Sequence, residues 1–339
     1  MRILSKPRAR GIRLGALFAG AALAVTACSV EGGSNGGGSG DGESGYPSRT
    51  VEFTVPTEPG GSTDLITRAL AKSLEEPLGA KTIVVNKPGA NGKIAGKDVF
   101  SSTPDGYRIA VMPQSLFSIG PLVLDDPDAI QLDDMTFVKG LAVEDYVLVT
   151  SASSGIGDLD AVLARDRVAY GTTGAGTGSQ LAQALLFGTA KVDAAAVPFD
   201  GGGPLTTAIL GGKVDVGAIQ IAEAVEQVRA GALRPLVVFS EERLEAMPDV
   251  PTAREAGHDI VVDQRRFVAA PAGLPDDVRD TLAEAIDKAV ASPEYGEVLT
   301  RSYINRWEVD GSQVDDQLRE SGERFAQLTE DLGIDLAGQ

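Results

Sequence analysis

The chain has one cysteine, one histidine and one tryptophan in 339 residues. A lone cysteine, Cys28, excludes disulfides within the chain, zinc ribbons and thiol chemistry that needs a resolving partner. With only His258 beside it, no His/Cys cluster can ligate a metal, and no Asp/Asn run has the spacing of a calcium loop, so no metal or cofactor is expected. A Ser-His-Asp triad would have to use His258, which follows Gly257 in a turn. No nucleophile elbow stands in the folded body, and the letters that match one, residues 32–36, lie in a Gly/Ser tract. Basic residues are also few: 30 Lys and Arg against 48 Asp and Glu leave a net charge of −18, which excludes the basic face that nucleic acid requires. After Cys28 no apolar run is long enough to span a bilayer.

What is present begins with a leader. Arg2, Lys6, Arg8, Arg10 and Arg13 precede an apolar stretch, residues 14–25, too short for a transmembrane helix. The sequence Val25-Thr26-Ala27-Cys28 then resembles a bacterial lipobox, in which the cysteine carries the lipid of the mature protein. Residues 1–27 are therefore expected to be a lipoprotein signal peptide, and residues 28–45 the lipidated Cys28 and a flexible Gly/Ser tether. Loss of the leader removes five positive charges and no negative ones, taking the body to −23. Such acidity opposes long-range steering of an anion, so an anion site here must rest on local dipoles or a few arginines.

The body reads as alternating strands and helices, the rhythm of an α/β protein. Strands are expected at 51–55, 82–85, 107–112, 137–143, 146–150, 167–170, 194–198, 214–219, 233–239 and 259–262, with a further apolar run at 267–270. Helices are expected to begin after residue 62, through 95–100, at 159–164, 180–188, 205–210 and 223–230, and over 275–291, 294–300 and 313–332. Three glycine-rich turns open helices, at 59–64, 171–179 and 199–204. Each offers backbone N–H groups and the positive end of a helix dipole, a suitable seat for a carboxylate or phosphate. In the first, Ser62, Thr63 and Asp64 are N-cap-type residues. Neither a dinucleotide fingerprint nor a Walker A loop has its spacing met. No turn brings an acid, base or nucleophile suited to catalysis, so binding without reaction is the expectation. The adjacent Arg265 and Arg266 are either a solvated pair or a guanidinium aimed at a carboxylate.

The order of short motifs then resembles one family. Tyr46-Pro47-Ser48-Arg49, Pro59-Gly60-Gly61-Ser62-Thr63-Asp64, Asn86-Lys87-Pro88-Gly89-Ala90 and Pro104-Asp105-Gly106-Tyr107 stand in sequence. They continue with Tyr170-Gly171-Thr172-Thr173-Gly174, Val197-Pro198-Phe199, Leu210-Gly211-Gly212-Lys213-Val214-Asp215 and Pro248-Asp249-Val250-Pro251-Thr252. The chain is similar to the substrate-binding proteins of tripartite tricarboxylate transporters, the Bug-type solute receptors. The resemblance implies a two-lobed periplasmic-binding-protein fold of type II, each lobe a mostly parallel sheet flanked by helices, with the ligand cleft between. Residues 46–145 with 253–339 would form lobe 1 and 146–252 lobe 2.

It also implies a lipid-anchored, monomeric receptor on the outer face of the cell membrane. Such a receptor delivers a small organic carboxylate to large and small membrane subunits. Carried over residue by residue, the ligand loops fall on Gly60, Gly61, Ser62, Thr63 and Asp64 and on Thr172, Thr173, Gly174 and Ser179; Ser115, Phe199 and Gly201 lie on adjoining cleft loops, and Gln220 and Arg266 complete the expected contacts. Gln220-Ile221 and Arg265-Arg266 depart from the family pattern where the far end of the ligand is expected, and an added arginine favours a di- or tricarboxylate. A surface hydrolase or a ligand-sensing receptor on the same fold are the alternatives.

Overall fold

The computed structural model describes residues 45–336. The leader, Cys28 and the tether up to residue 44 lie outside the described residues, as do 337–339. Among the described residues no helix is long and apolar enough to cross a membrane.

Among the described residues ten strands form two sheets that share one long strand. The first sheet holds β1 (Val51–Val55), β2 (Thr82–Asn86), β3 (Arg108–Pro113), the first part of β4 (Met135–Ser151), β9 (Asp263–Pro271) and the short β10 (Asn305–Arg306). The second holds the remainder of β4 with β5 (Val168–Thr172), β6 (Ala194–Pro198), β7 (Val216–Gln220) and β8 (Leu233–Val238). Both are built alike: three parallel strands (β2-β1-β3, and β6-β5-β7) are extended by antiparallel partners that include β4. The parallel strands are crossed over by helices; β3, inside its sheet, is buried along almost its whole length and reads as near-continuous apolar sequence, whereas the outer strands β2 and β6 are only partly buried.

The sequence pattern anticipates two strands, 137–143 and 146–150, where the structure has the single β4. Glu144 and Asp145 interrupt the apolar alternation there, yet the backbone continues straight through them. Asp145 still pairs with Asp263 of β9, and the next residue, Tyr146, pairs with Gln220 of β7. The expected strand at 259–262 is irregular, and the strand proper is β9. Ala253, Ile260 and Val262 pack with Tyr146, Tyr170 and Phe239 in the core of the second sheet.

The last helix, Gly311–Asp331, ties both halves. Its Val314 and Leu318 lie in the cluster with Phe267, whereas Phe325 lies with Leu181 and Leu185 in the second core. Its entry is tight, because a Cβ on Gly311 would stand 2.2 Å from the Phe137 carbonyl oxygen. Backbone cannot yield as a side-chain tip can, so Gly311→Ala is expected to cost roughly 1–3 kcal/mol of stability by chemical denaturation. Gly157, with nothing near its Cβ position, is the control: Gly157→Ala is expected to stay within about 0.5 kcal/mol.

Candidate functional site

A cavity of about 500 Å³ lies where the two sheets meet, a size suited to a small organic molecule. Its wall includes Gly60, Gly61, Ser62, Thr63, Ser115, Thr173, Gly174, Phe199, Gly201, Gln220 and Arg266, all anticipated from sequence. Asp64, Thr172 and Ser179 are not on the wall; they hold it from behind. Arg265 points away, donating to Gln317 (2.6 Å) and packing over Trp307.

The first turn takes its shape from Gly60, whose φ of +88° suits a residue without a Cβ. Helix Ser62–Leu78 is capped by Gly61, which brings no side chain, so Ser62, Thr63 and Asp64 form the first helical turn and none of them is the N-cap. Ile66, Leu70 and Leu74 anchor this helix, each wholly buried. Asp64 folds back to accept from the Gly60 N–H (3.0 Å), Arg68 Nε (2.8 Å) and Asn86 Nδ2 (2.9 Å). Burial pushes its carboxyl upward, but those bonds prevail and hold it below the usual carboxylate range. Asp64 thus fixes the turn to the end of β2, and is spent in doing so.

The remaining polar groups of that turn are engaged by two elements distant in sequence. Ser62 Oγ donates to Glu144 Oε2, and Thr63 Oγ1 accepts from Arg266 Nε at 2.6 Å. Arg266 Nη2 lies 3.5 Å from Glu144 Oε2, an ion pair with 3% and 0% of its side chains exposed. Burial pushes the Glu144 carboxyl up, against the opposing pull of Arg266 and Ser62. With its amide oxygen turned to Arg266, Gln264 accepts from Nη1 (3.2 Å) and donates to the Tyr146 hydroxyl (3.0 Å). An arginine expected to be free for ligand is therefore already matched by a carboxylate.

The second turn satisfies its own amides. Thr173 N–H donates to Ser179 Oγ (3.2 Å), Gly174 N–H to Thr172 Oγ1 (3.3 Å) and Gly176 N–H to Gln180 Oε1 (2.9 Å). Ser179 in turn donates to the Ala218 carbonyl at 2.6 Å, locking the turn to β7. The third turn is tied on through the Phe199 and Gly201 N–H groups, which donate to Thr172 and Thr173 oxygens (3.0 and 3.2 Å). Across the cavity Asn91 Nδ2 donates to the Gly176 carbonyl at 2.7 Å, and Asn91 Oδ1 accepts from Ser115.

Glu144, Glu223, Asn91, Tyr146 and Gln264 were not marked as site residues from sequence. Glu144 sits in what reads as a strand break, and Glu223 reads as an ordinary acid in the first turn of a helix. Only the burial of an acid in a strand could have signalled the first; nothing local distinguishes the second. Among the described residues no group of three or more His, Cys, Asp or Glu could hold a metal ion.

The family model "Tripartite tricarboxylate transporter family receptor" matches residues 66–334. A protein encoded between tcbD and tcbE in Pseudomonas sp. strain P51 is 32% identical over 75% of this chain and 77% of its own. Protein BugT of Bordetella pertussis is 30% identical over 73% and 78%. Among solved structures, MatC from Rhodopseudomonas palustris with bound malate aligns with a TM-score of 0.77 and 28% identity, covering 84% of this chain and 99% of MatC. The periplasmic binding protein BugD aligns at a TM-score of 0.80 over 86% and 99%, and its 24% identity speaks to the shared two-lobed fold. With the family model covering residues 66–334, most of both sheets, the chain belongs to the tripartite tricarboxylate transporter receptor family, whose members are substrate-binding receptors and not enzymes.

Proposed function

We propose that this chain is an extracytoplasmic receptor that captures a small organic carboxylate and delivers it to the membrane subunits of a tripartite tricarboxylate-type transporter. The observation that carries the reading is the cavity itself. Polar groups of both sheets, among them Thr63, Thr173, Gln220 and Arg266, converge on a space of about 500 Å³. MatC, the relative with bound malate, supports an organic acid as the ligand. In this proposal the protein works as a monomer held to the outer face of the membrane by a lipid on Cys28.

The hinge we propose runs through two adjacent crossings, Asp145–Tyr146 in β4 and Val262–Asp263 at the start of β9. The pairing of Asp145 with Asp263 supports this. The second crossing comes later than the Thr252–Ala253 boundary expected from sequence, because Ala253, Ile260 and Val262 belong to the second core. A ligand that touches both walls only when they approach shifts the open–closed equilibrium toward closure. The expectation of a di- or tricarboxylate rested on an uncompensated arginine, and Arg266 is paired with Glu144. The proposal therefore keeps the carboxylate without multiplying it.

Titration calorimetry of the purified body against malate, adipate, citrate and aromatic acids tests the reading. Binding of at least one class is expected; silence across the whole panel contradicts it. Thr173→Val, which strips a wall hydroxyl, is expected to weaken the bound acid about tenfold, or ~1.4 kcal/mol, with an unchanged melting temperature. Asp64→Ala releases the Gly60 N–H and removes the acceptor of Arg68 and Asn86, so both affinity and melting temperature are expected to fall. Unchanged affinity in both variants would move the site elsewhere.

A further inference from the structure

The cleft holds a carboxylate of its own at the point where a ligand's would be expected. Glu223 belongs to the helix Ile221–Arg229 beside β7, and its side chain reaches the Gly60–Ser62 turn of the other half. A Cβ on Gly61 would lie 3.8 Å from Glu223 Oε1, and the Ser62 backbone N–H favours the ionised form of this acid. On its other side, a Cβ on Gly202 would stand only 1.6 Å from Oε2. One carboxylate is thus wedged between the starts of helices Ser62–Leu78 and Gly202–Leu210, both capped by glycines without a side chain to offer. Glu223 Oε2 is out of reach of solvent and has no hydrogen-bond partner, and the same holds for Glu144 Oε1 behind it.

Two glutamates, Glu144 wholly buried and Glu223 partly so, share a single arginine here. The Arg266 guanidinium balances one carboxylate, that of Glu144; the other gains by holding a proton. Burial, and then the neighbouring Glu144, push the Glu223 carboxyl up to about 7, against the pull of Arg266 and the Ser62 N–H. The other acids on the cavity wall, Glu58 and Asp200, stand at the exposed rim, where water screens them.

Resting on the carboxylate-receptor reading above, we propose that Glu223 sets the charge of the ligand. The cleft takes acids with a single carboxylate, because Glu223 itself fills the place that a second one would need. Protonated, Glu223 can donate to a second carboxylate and tolerate it; ionised, it repels one. The sign follows: loss of the proton adds a negative charge beside the ligand, so affinity for a dianion falls as pH rises through about 7.

The test compares diacids with their monoamides, succinate with succinamate, adipate with adipamate and phthalate with phthalamate, by calorimetry on wild type and Glu223→Gln. At about pH 8 the monoamides are expected to bind wild type at least tenfold more tightly than the parent diacids, with the gap narrowing to under threefold near pH 6. In Glu223→Gln, which fixes a neutral side chain of the same shape, the gap should be small at both pH values. Should that variant fail to fold, the wild-type pH profile decides alone. A wild type that prefers the diacids at pH 8, or a gap indifferent to both pH and the substitution, overturns the inference. Silence of every probe with both proteins overturns the carboxylate-receptor reading, and the inference with it.

Discussion

Arg266 sits almost wholly buried between Thr63, in the first turn of the helix after β1, and Glu144, deep in β4, while β9 carries it between β3 and β4. Few positions in the chain join so many elements. Its Nε fixes the first turn of a helix, its Nη groups answer a buried carboxylate and Gln264, and Glu144 receives Ser62 from the same helix turn. Breaking such a pair from one side strands a charge, which costs about 3–5 kcal/mol, whereas its net contribution when intact is far smaller. The pair therefore acts less as a source of stability than as a device that sets register. It holds the Gly60–Thr63 turn, β4 and β9 in one arrangement, and the floor of the cavity follows from it.

The same strands that carry this pair also carry the connection between the halves. β4 leaves the first sheet and enters the second in one residue step, and β9 begins opposite that step. Burial, and then Asp263 and Glu144, push the Asp145 carboxyl up to about 6, so acids cluster where the halves join. In the proposed hinge motion this charged core beside the crossings would couple the geometry of the cleft to what enters it. The helix Gly311–Asp331 links the two cores, with Val314 and Leu318 packed in one and Phe325 in the other.

Much of this was legible in the residues. The three glycine-rich turns, the alternation of elements and the family order all point to the cavity, and most of the anticipated wall residues line it. The failures have physical causes. Asp64 looks like a cap and a ligand contact, yet a carboxylate in a first helical turn can fold back on its own loop, and here Gly60, Arg68 and Asn86 claim it. Glu144 and Asp145 look like a gap between strands because charge in an alternating pattern ordinarily marks solvent; a buried partner 122 positions away, Arg266, cannot be seen from there. Glu223 obeys the helix-dipole preference so well that its reach into the opposite turn leaves no local trace. Local rules identify turns; they do not reveal which acid from elsewhere already occupies them.

In the proposed reading the cleft supplies one carboxylate itself, that of Glu223, and accepts one from outside. The most direct measurement is mass spectrometry of the small molecule that co-purifies with the native protein from its own cells. An organic acid bearing a single carboxylate is expected. A co-purifying di- or tricarboxylate, or a ligand with no acidic group, would contradict it.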